Sequence, residues 1–403
     1  MKWNTRISKM IGLLVVVVFG IPTMVSSHDR GETPIIHLSV LLDLDGGQAT
    51  LGQPAMNGFF LALQQADLQQ ASKIFTTFLN TKSDPTITLS AAISVQKNVS
   101  VGAGFTDNDS VLTAGPIFQE RKVPFLSIGA TDPSLPAFIG NYIFLTPFGD
   151  NTQAAAAAEF SRKEFGDSVA ILFDNTAEYT RTLHQYFRTR FEELGGDVLF
   201  SMDYPGGCSI ASLGQQMLVL PELPSFVYLA GLPDCIGEIV ASLRSVGIHQ
   251  PIIGGDGLDT ANLLTGGNGP TDNVWYTTHA WLSPETGTPT AKEFIERYRE
   301  VYGTTPQNAF AALGYDAANL LLEALKQTRK GRSREIFEAL ERTQDFNGVT
   351  GNISFNEESH VPLKTVWTIQ VTEGELSLAD AFIPESIPPP IQSTKTKVLK
   401  FRR

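Results

Sequence analysis

From residue 35 onward the chain switches repeatedly between short β-branched or aromatic runs and longer stretches with apolar residues at helical spacing. Ile35-Ile36-His37-Leu38-Ser39-Val40-Leu41-Leu42 is apolar almost throughout, as a strand covered on both faces must be, and Asp45-Gly46-Gly47 ends it. Residues 54–66 then place Met56, Phe59, Phe60 and Leu63 on one helical face. Further strands are expected at 123–127, 142–145, 169–173, 198–200, 226–230 and 251–254, with helices over 153–165, 180–194 and 236–246 between them. A β-rich run at 273–281 follows. Helices over 291–302, 309–327 and 333–342 come next, then strands near 351–355 and 365–371. Strand–helix alternation yields parallel sheets with helices on both faces. So many βα units crowd a single twisted sheet. Two doubly wound α/β lobes fit better, with a first crossover near 146–151, where Pro147-Phe148-Gly149-Asp150 precedes an Ala-rich helix. A β/α barrel is the rival fold, but its eight-fold regularity is not visible.

The two ends read differently from this body. Lys2, Arg6 and Lys9 precede an almost wholly apolar run from Met10 to Met24, and Val25-Ser26-Ser27 offers small residues for processing. This is the layout of a cleaved export signal over 1–27. Gly20 and Pro22 interrupt the run, which is too short for a membrane span. An extracytoplasmic, periplasmic location is therefore expected. At the other end, Ile383-Pro384-Glu385-Ser386-Ile387-Pro388-Pro389-Pro390 should be stiff and extended, and Lys395, Lys397, Lys400, Arg402 and Arg403 form a basic tail. Residues 383–403 are expected to be a linker and solvated terminus.

Catalytic signatures are missing. No phosphate-binding loop, zinc-protease helix or nucleophile elbow occurs, and the six His are scattered away from metal-ligand spacing. No cofactor is expected. The net charge of −12, with no basic stripe in the body, argues against a nucleic-acid partner. The strand ends carry more information, because ligands of open α/β sheets gather beyond the carboxyl ends of strands. There the sequence offers residues 45–52, 104–110 and 129–133, then 174–179, 231–234 and 254–257, all rich in Gly, small or polar residues.

Val123-Pro124-Phe125-Leu126-Ser127-Ile128-Gly129-Ala130-Thr131-Asp132-Pro133-Ser134-Leu135 resembles the hallmark stretch of the Leu/Ile/Val-binding proteins, the type I periplasmic solute-binding components of amino-acid ABC transporters. Asn80-Thr81-Lys82-Ser83-Asp84-Pro85, Val169-Ala170-Ile171-Leu172-Phe173-Asp174 with Tyr179, Gly254-Gly255-Asp256-Gly257 and the strand at 348–355 follow in the family's order. The likeness covers roughly residues 34–372. It implies two parallel-sheet lobes joined by a three-stranded hinge: 34–147 with 282–349, and 148–281 with 350–380. It also implies a small-molecule ligand clamped between the lobes, a membrane ABC permease as partner, and action as a monomer.

The resemblance further implies a ligand carboxylate cradled by Gly129, Ala130 and Thr131 and by a serine position that aligns here with Asn108. A two-residue slip would offer Thr106 or Ser110 instead. Asp107 and Asp109 flank that position, and their charges oppose a carboxylate. Asp256 falls where the family pairs with a ligand ammonium, Tyr179 matches an aromatic beside the ligand, and Leu232 replaces another. Leu51 takes the place that touches the ligand side chain. Trp275 and Trp281 lie near the second expected crossover, where packing is the ordinary role. Cys208 and Cys235 both follow strands of the second lobe, so a disulfide between them is expected in an exported protein. The expected function is capture of an amino acid or similar zwitterion by hinge closure for import. A ligand sensor for a membrane receptor and an exported hydrolase are the alternatives.

Overall fold

The computed structural model describes residues 35–66, 74–95, 99–265 and 272–391. The expected export signal at 1–27 and the basic residues beyond 391 lie outside these. The chain opens with Ile36–Leu42 (β1), Ala49–Gln65 (α1), Ile74–Asn80 (β2), Pro85–Val95 (α2), Val101–Gly104 (β3), Asn108–Arg121 (α3), Phe125–Ser127 (β4), Leu135–Ile139 (α4) and Ile143–Leu145 (β5). Their strands make one parallel sheet in the order β2-β1-β3-β4-β5.

The chain then builds a second sheet from Asp150–Glu164 (α5), Ser168–Asp174 (β6), Glu178–Glu193 (α6), Asp197–Tyr204 (β7), Ala211–Met217 (α7), Phe226–Ala230 (β8), Ile236–Ser245 (α8), Ile252–Gly254 (β9), a short 3-10 turn at Asp256–Leu258, Ala261–Thr265 (α9) and Val274–Thr278 (β10). It returns for Pro289–Tyr302 (α10), Ala309–Lys326 (α11), Ser333–Glu341 (α12) and the hairpin Phe346–Gly348 (β11) with Gly351–Ile353 (β12). Val366–Thr372 (β13) and Glu375–Phe382 (β14) finish the second sheet as antiparallel edge strands, giving the order β14-β13-β10-β9-β8-β6-β7. The fold is therefore α/β with two parallel-sheet lobes, and among the described residues the chain passes between the sheets three times.

The first lobe's core joins β1, β3 and β4 to α1 and α11 through Leu38, Val40, Phe59, Phe310, Leu313 and Leu321. The two helices meet backbone to backbone. A Cβ on Gly58 would lie 1.8 Å from the Ala311 carbonyl oxygen, and one on Gly314 would lie 1.9 Å from that of Ala55. Helix α1 begins five residues before the expected Pro54. A proline inside a helix leaves the carbonyl four residues earlier without its donor. Here that carbonyl, on Thr50, receives the side-chain amide of Asn308 at 2.9 Å.

Two expectations about the late chain are corrected. The hairpin β11–β12 belongs with the first lobe, since Ile353 and Phe355 enter its core and His360 stacks on Phe144 at 3.9 Å. The last crossing thus lies just before β13, not at residue 350. The Pro-rich run is no free linker as far as Ile391. Asn151 Nδ2 donates to the Pro388 carbonyl at 2.8 Å, the Ile391 amide donates to the Tyr186 hydroxyl at 2.7 Å, and Glu159 accepts from the amides of Glu385 and Ser386. Prolines lack donors of their own, so an extended strap of this kind docks through its carbonyls and its few remaining amides.

Candidate functional site

The carboxyl ends of both sheets face one another across a cleft of about 740 Å³. On the first-lobe side, β1 delivers Asp43, β3 delivers Thr106 and Asp107, and β4 delivers the turn at 129–132. Asp107 is the N-cap of α3: its Oδ1 accepts from the Ser110 amide at 2.8 Å. Its Oδ2 has no hydrogen-bond partner among the described residues. Burial pushes this carboxyl up to about 7, and the neighbouring charge of Asp43 adds to the rise. Asp43 itself is well served, accepting from Thr81 Oγ1 at 2.7 Å, the Ser83 amide at 2.8 Å and Thr106 Oγ1.

Asn108, the first residue of α3, does not offer its amide to the cleft. Its Oδ1 accepts from the backbone amides of Thr131 at 2.9 Å and Asp132 at 3.0 Å, and its Nδ2 donates to Asp150 Oδ2 at 3.2 Å. The two backbone donors fix which way the side-chain amide points. The Gly129 amide goes to the Phe105 carbonyl at 3.0 Å, and the Ala130 amide to Ser127 Oγ at 3.2 Å. Every backbone N–H of the 129–132 turn is therefore engaged inside the protein.

The second-lobe wall centres on Asp256. Its Oδ1 accepts from Gln153 Nε2 and from the Tyr179 hydroxyl, both at 2.8 Å, and its Oδ2 lies 2.9 Å from His279 Nε2. Burial holds the imidazole below its ordinary range, so Nε2 carries the proton given to Asp256 and Nδ1 is a bare, unpartnered acceptor. Gln153 Nε2 also donates to Asp150 Oδ1 at 2.9 Å, so one amide bridges two carboxyl groups. Burial, then the nearby Asp256, raises Asp150 well above the usual carboxylate range and favours its neutral form. The Tyr179 hydroxyl accepts from the Gly257 amide at 3.0 Å, which locks the ring over the 3-10 turn.

Bonds also run across the cleft. The Glu178 amide, in the first turn of α6, donates to Asp109 Oδ2 of the other lobe at 3.1 Å; α6 has no side-chain cap of its own. In the reverse direction, Asp259 Oδ2 of the second lobe accepts from the Ala309 amide at the start of α11 at 3.0 Å. Each lobe thus supplies an acidic cap to a helix of the other, which suits the positive end of a helix.

The crossings form a polar hinge. Lys364 Nζ donates to the Thr146 carbonyl at 2.8 Å and to Thr350 Oγ1 at 2.7 Å; that hydroxyl donates to Asp316 Oδ2 at 2.7 Å. Asp316 also accepts from the amides of Val349 and Thr350. Burial lowers the lysine to about 7, with the attraction of Asp316 opposing the fall.

The structure brings Leu51, Asn108, Gly129, Thr131, Tyr179, Leu232 and Asp256 to the cleft lining, along with Asp107, Asp109 and Phe310. Ala130 does not line it: its side chain packs with Phe105, Val111 and Leu145 in the first-lobe core. Thr106 and Ser110 also reach the lining. Trp275 packs on Phe165 in the second lobe, and Trp281 donates to Thr286 Oγ1, so neither reaches the ligand space. Cys208 and Cys235 form a disulfide in the second lobe, beside the 231–234 loop at the cleft rim. Asp150, Gln153, His279 and Phe310 went unnoticed in the sequence. They come from a helix start, a helix interior, a crossover and another helix start, where nothing local marks them as neighbours.

Residues 35–375 match the model of a periplasmic binding protein family. The Leu/Ile/Val-binding protein homolog 1 of Brucella suis is 24% identical over 323 residues, covering 79% of this chain and 85% of its own length. A leucine-, isoleucine-, valine-, threonine- and alanine-binding protein of Pseudomonas aeruginosa is 19% identical, covering 89% and 93%. Among solved structures, a leucine binding protein LivK from Thermotoga maritima superposes with a TM-score of 0.80 at 27% identity, covering 87% of this chain and 99% of that one. A solute binding protein from Rhodopseudomonas palustris in complex with 3,4-dihydroxybenzoic acid gives 0.77 at 22%, covering 88% and 99%. With a fold of two facing lobes, a cleft between their sheet ends and a family match spanning most of the sequence, this chain belongs to the periplasmic binding proteins.

Proposed function

We propose that the chain is the extracytoplasmic solute-binding component of an ABC importer, which closes its two lobes on a small organic solute and presents it to a membrane permease. One observation carries the reading: a cleft of about 740 Å³ lies between the strand ends of two lobes that already bond to each other at its mouth. That volume suits a small molecule. Ligand bound in such a cleft touches both walls at once and so favours the closed form over the open one. A cationic nitrogen of the solute meets Asp256, the ring of Tyr179 sits beside it, and the carbon body lies against Leu51, Leu232 and Phe310. No bond of the solute is made or broken. The relatives named for branched-chain amino acids and the neighbour holding an aromatic acid support a small organic cargo while differing in its chemistry.

The test is a thermal-shift panel of amino acids, amides, amines and aromatic acids against the chain from residue 28. A solute at about a hundred times its Kd adds roughly 2.7 kcal/mol to stability. A hit that also reduces the radius of gyration in small-angle scattering supports closure. Binding of the hit undiminished in Asp256→Ala removes Asp256 from the site.

A further inference from the structure

The walls of the cleft differ in what they ask of a ligand, and the first-lobe wall is the more specific. Its 129–132 turn has no backbone donor to give, because Asn108, Ser127 and Phe105 take all four amides. Among the described residues no lysine, arginine or histidine lines the cleft, whereas Asp107, Asp109 and Asp256 do. A carboxylate placed against this wall would lose water and gain repulsion.

Asp107 supplies the opposite need. One oxygen caps its own helix and the other has no partner, and Asp43 stands behind it with its own donors in place. Among the described residues the charged groups acting on it are Asp43 at the end of β1 and Asp109 on its own helix, both acidic. Such a carboxylate raises the free energy of the empty protein unless a cation neutralises it. Among the described residues no three His, Cys, Asp or Glu groups converge as a metal site. The surrounding Leu51, Leu112 and Phe310 favour a cation borne on hydrocarbon.

We propose that the solute presents an organic cation, an amine or amidinium nitrogen, to the Asp107 carboxylate of the first lobe, and bears no carboxylate at that end. This deepens the solute-binding reading of the same cleft and rests on it. Binding then requires ionised Asp107, so affinity for an amine rises with pH. With a free-protein value of about 7, the ionised fraction grows about tenfold between pH 6 and pH 8.

The experiment is calorimetric titration of the chain from residue 28 with butylamine, 1,4-diaminobutane and 4-aminobutylguanidine, and with L-leucine and 4-hydroxybenzoate, at pH 6 and pH 8. The comparison variants are Asp107→Asn and Asp107→Ser, both of which keep a helix-capping side chain and remove the charge. The expected result is binding of at least one amine, stronger at pH 8. Either variant should weaken it by about ten- to a hundredfold, as loss of a charge-assisted bond does, and abolish its pH dependence. Binding of leucine or hydroxybenzoate at equal strength in wild type and variants overturns this inference and leaves the solute-binding reading standing. Silence from all three amines also overturns it. Failure of every probe, together with no compaction in scattering across the wider panel, counts against the solute-binding reading itself.

Discussion

Two buried acidic networks meet at the centre of this molecule, and they are finished in different ways. At the hinge, Asp316 has backbone amides, a threonine hydroxyl and, through that hydroxyl, the amine of Lys364. At the cleft, Asp107, Asp150 and Asp256 are served by neutral donors, and Asp107 keeps one oxygen unserved. The hinge network holds a lysine of its own; among the described residues the cleft network does not. A closed network fixes the crossings relative to one another. An open one is a standing demand on whatever enters. The difference separates structural acid from recognition acid in a chain where both are buried and both lie beside the crossovers.

The largest effect should come from breaking the complete network. Lys364→Met removes the buried donor to the Thr146 carbonyl and the Thr350 hydroxyl, and leaving such buried groups unserved costs about 1–3 kcal/mol each. Urea unfolding midpoints should register that loss, whereas Asp107→Asn in the same assay should leave stability unchanged or raise it. Equal losses in the two variants would erase the distinction. A smaller effect follows from pH. Burial raises Asp107 to about 7 and both Asp132 and Asp259 to about 6, and it lifts Asp150 well above the carboxylate range. Each group binds its proton more tightly folded than unfolded, so each costs stability as pH rises from the unfolded carboxylate value through the folded one. His184, His279 and His360 are pushed down by burial instead and cost stability as pH falls, so the carboxyl contribution is read as a difference between variants. Between pH 7 and pH 5 the ligand-free wild type should gain melting temperature relative to Asp107→Asn, by on the order of a few degrees in differential scanning calorimetry.

The sequence made the two-sheet architecture legible because strands covered on both faces must be continuous apolar runs, and β1, β6 and β8 are. It hid β3, whose Val-Gly-Ala-Gly looks like a loop. The reason is packing: a Cβ on Gly102 would sit 2.6 Å from the Phe125 ring, and Gly104 has a φ of 137° with the Leu41 carbonyl 1.9 Å from where its Cβ would be. Strand-end turns were visible as turns, so the positions of Thr131 and Asp256 at the cleft could be anticipated. The wiring behind them could not. Gln153 reaches Asp256 across 103 residues of sequence, and Ala130 turns its methyl into the core because Ser127 holds its amide. Long-range hydrogen bonds leave no periodic trace in a chain.

The smallest of these effects concerns Asp109, the acid that bonds across the cleft. Asp109 sits on the same helix as Asp107, yet it reaches across the cleft to the Glu178 amide at 3.1 Å, where α6 lacks a cap from its own lobe. The bond exists only while the lobes are together, so removing it acts on closure and spares the folding of either lobe. A capping interaction is typically worth about 1 kcal/mol. Asp109→Ala should therefore shift the closed-to-open ratio about fivefold towards open, since 1.4 kcal/mol is a factor of about ten. Small-angle scattering would show a larger mean radius with the melting temperature nearly unchanged, and ligand affinity should fall by a similar factor, because only the closed form contacts the solute with both walls. Asp109→Asn, which keeps an acceptor for the α6 amide, should recover much of the closure. A compact Asp109→Ala protein would instead mean that Asp259 on the α11 amide and the packed hinge hold the lobes together, and Asp109 would join Asp107 as a group whose purpose is the ligand.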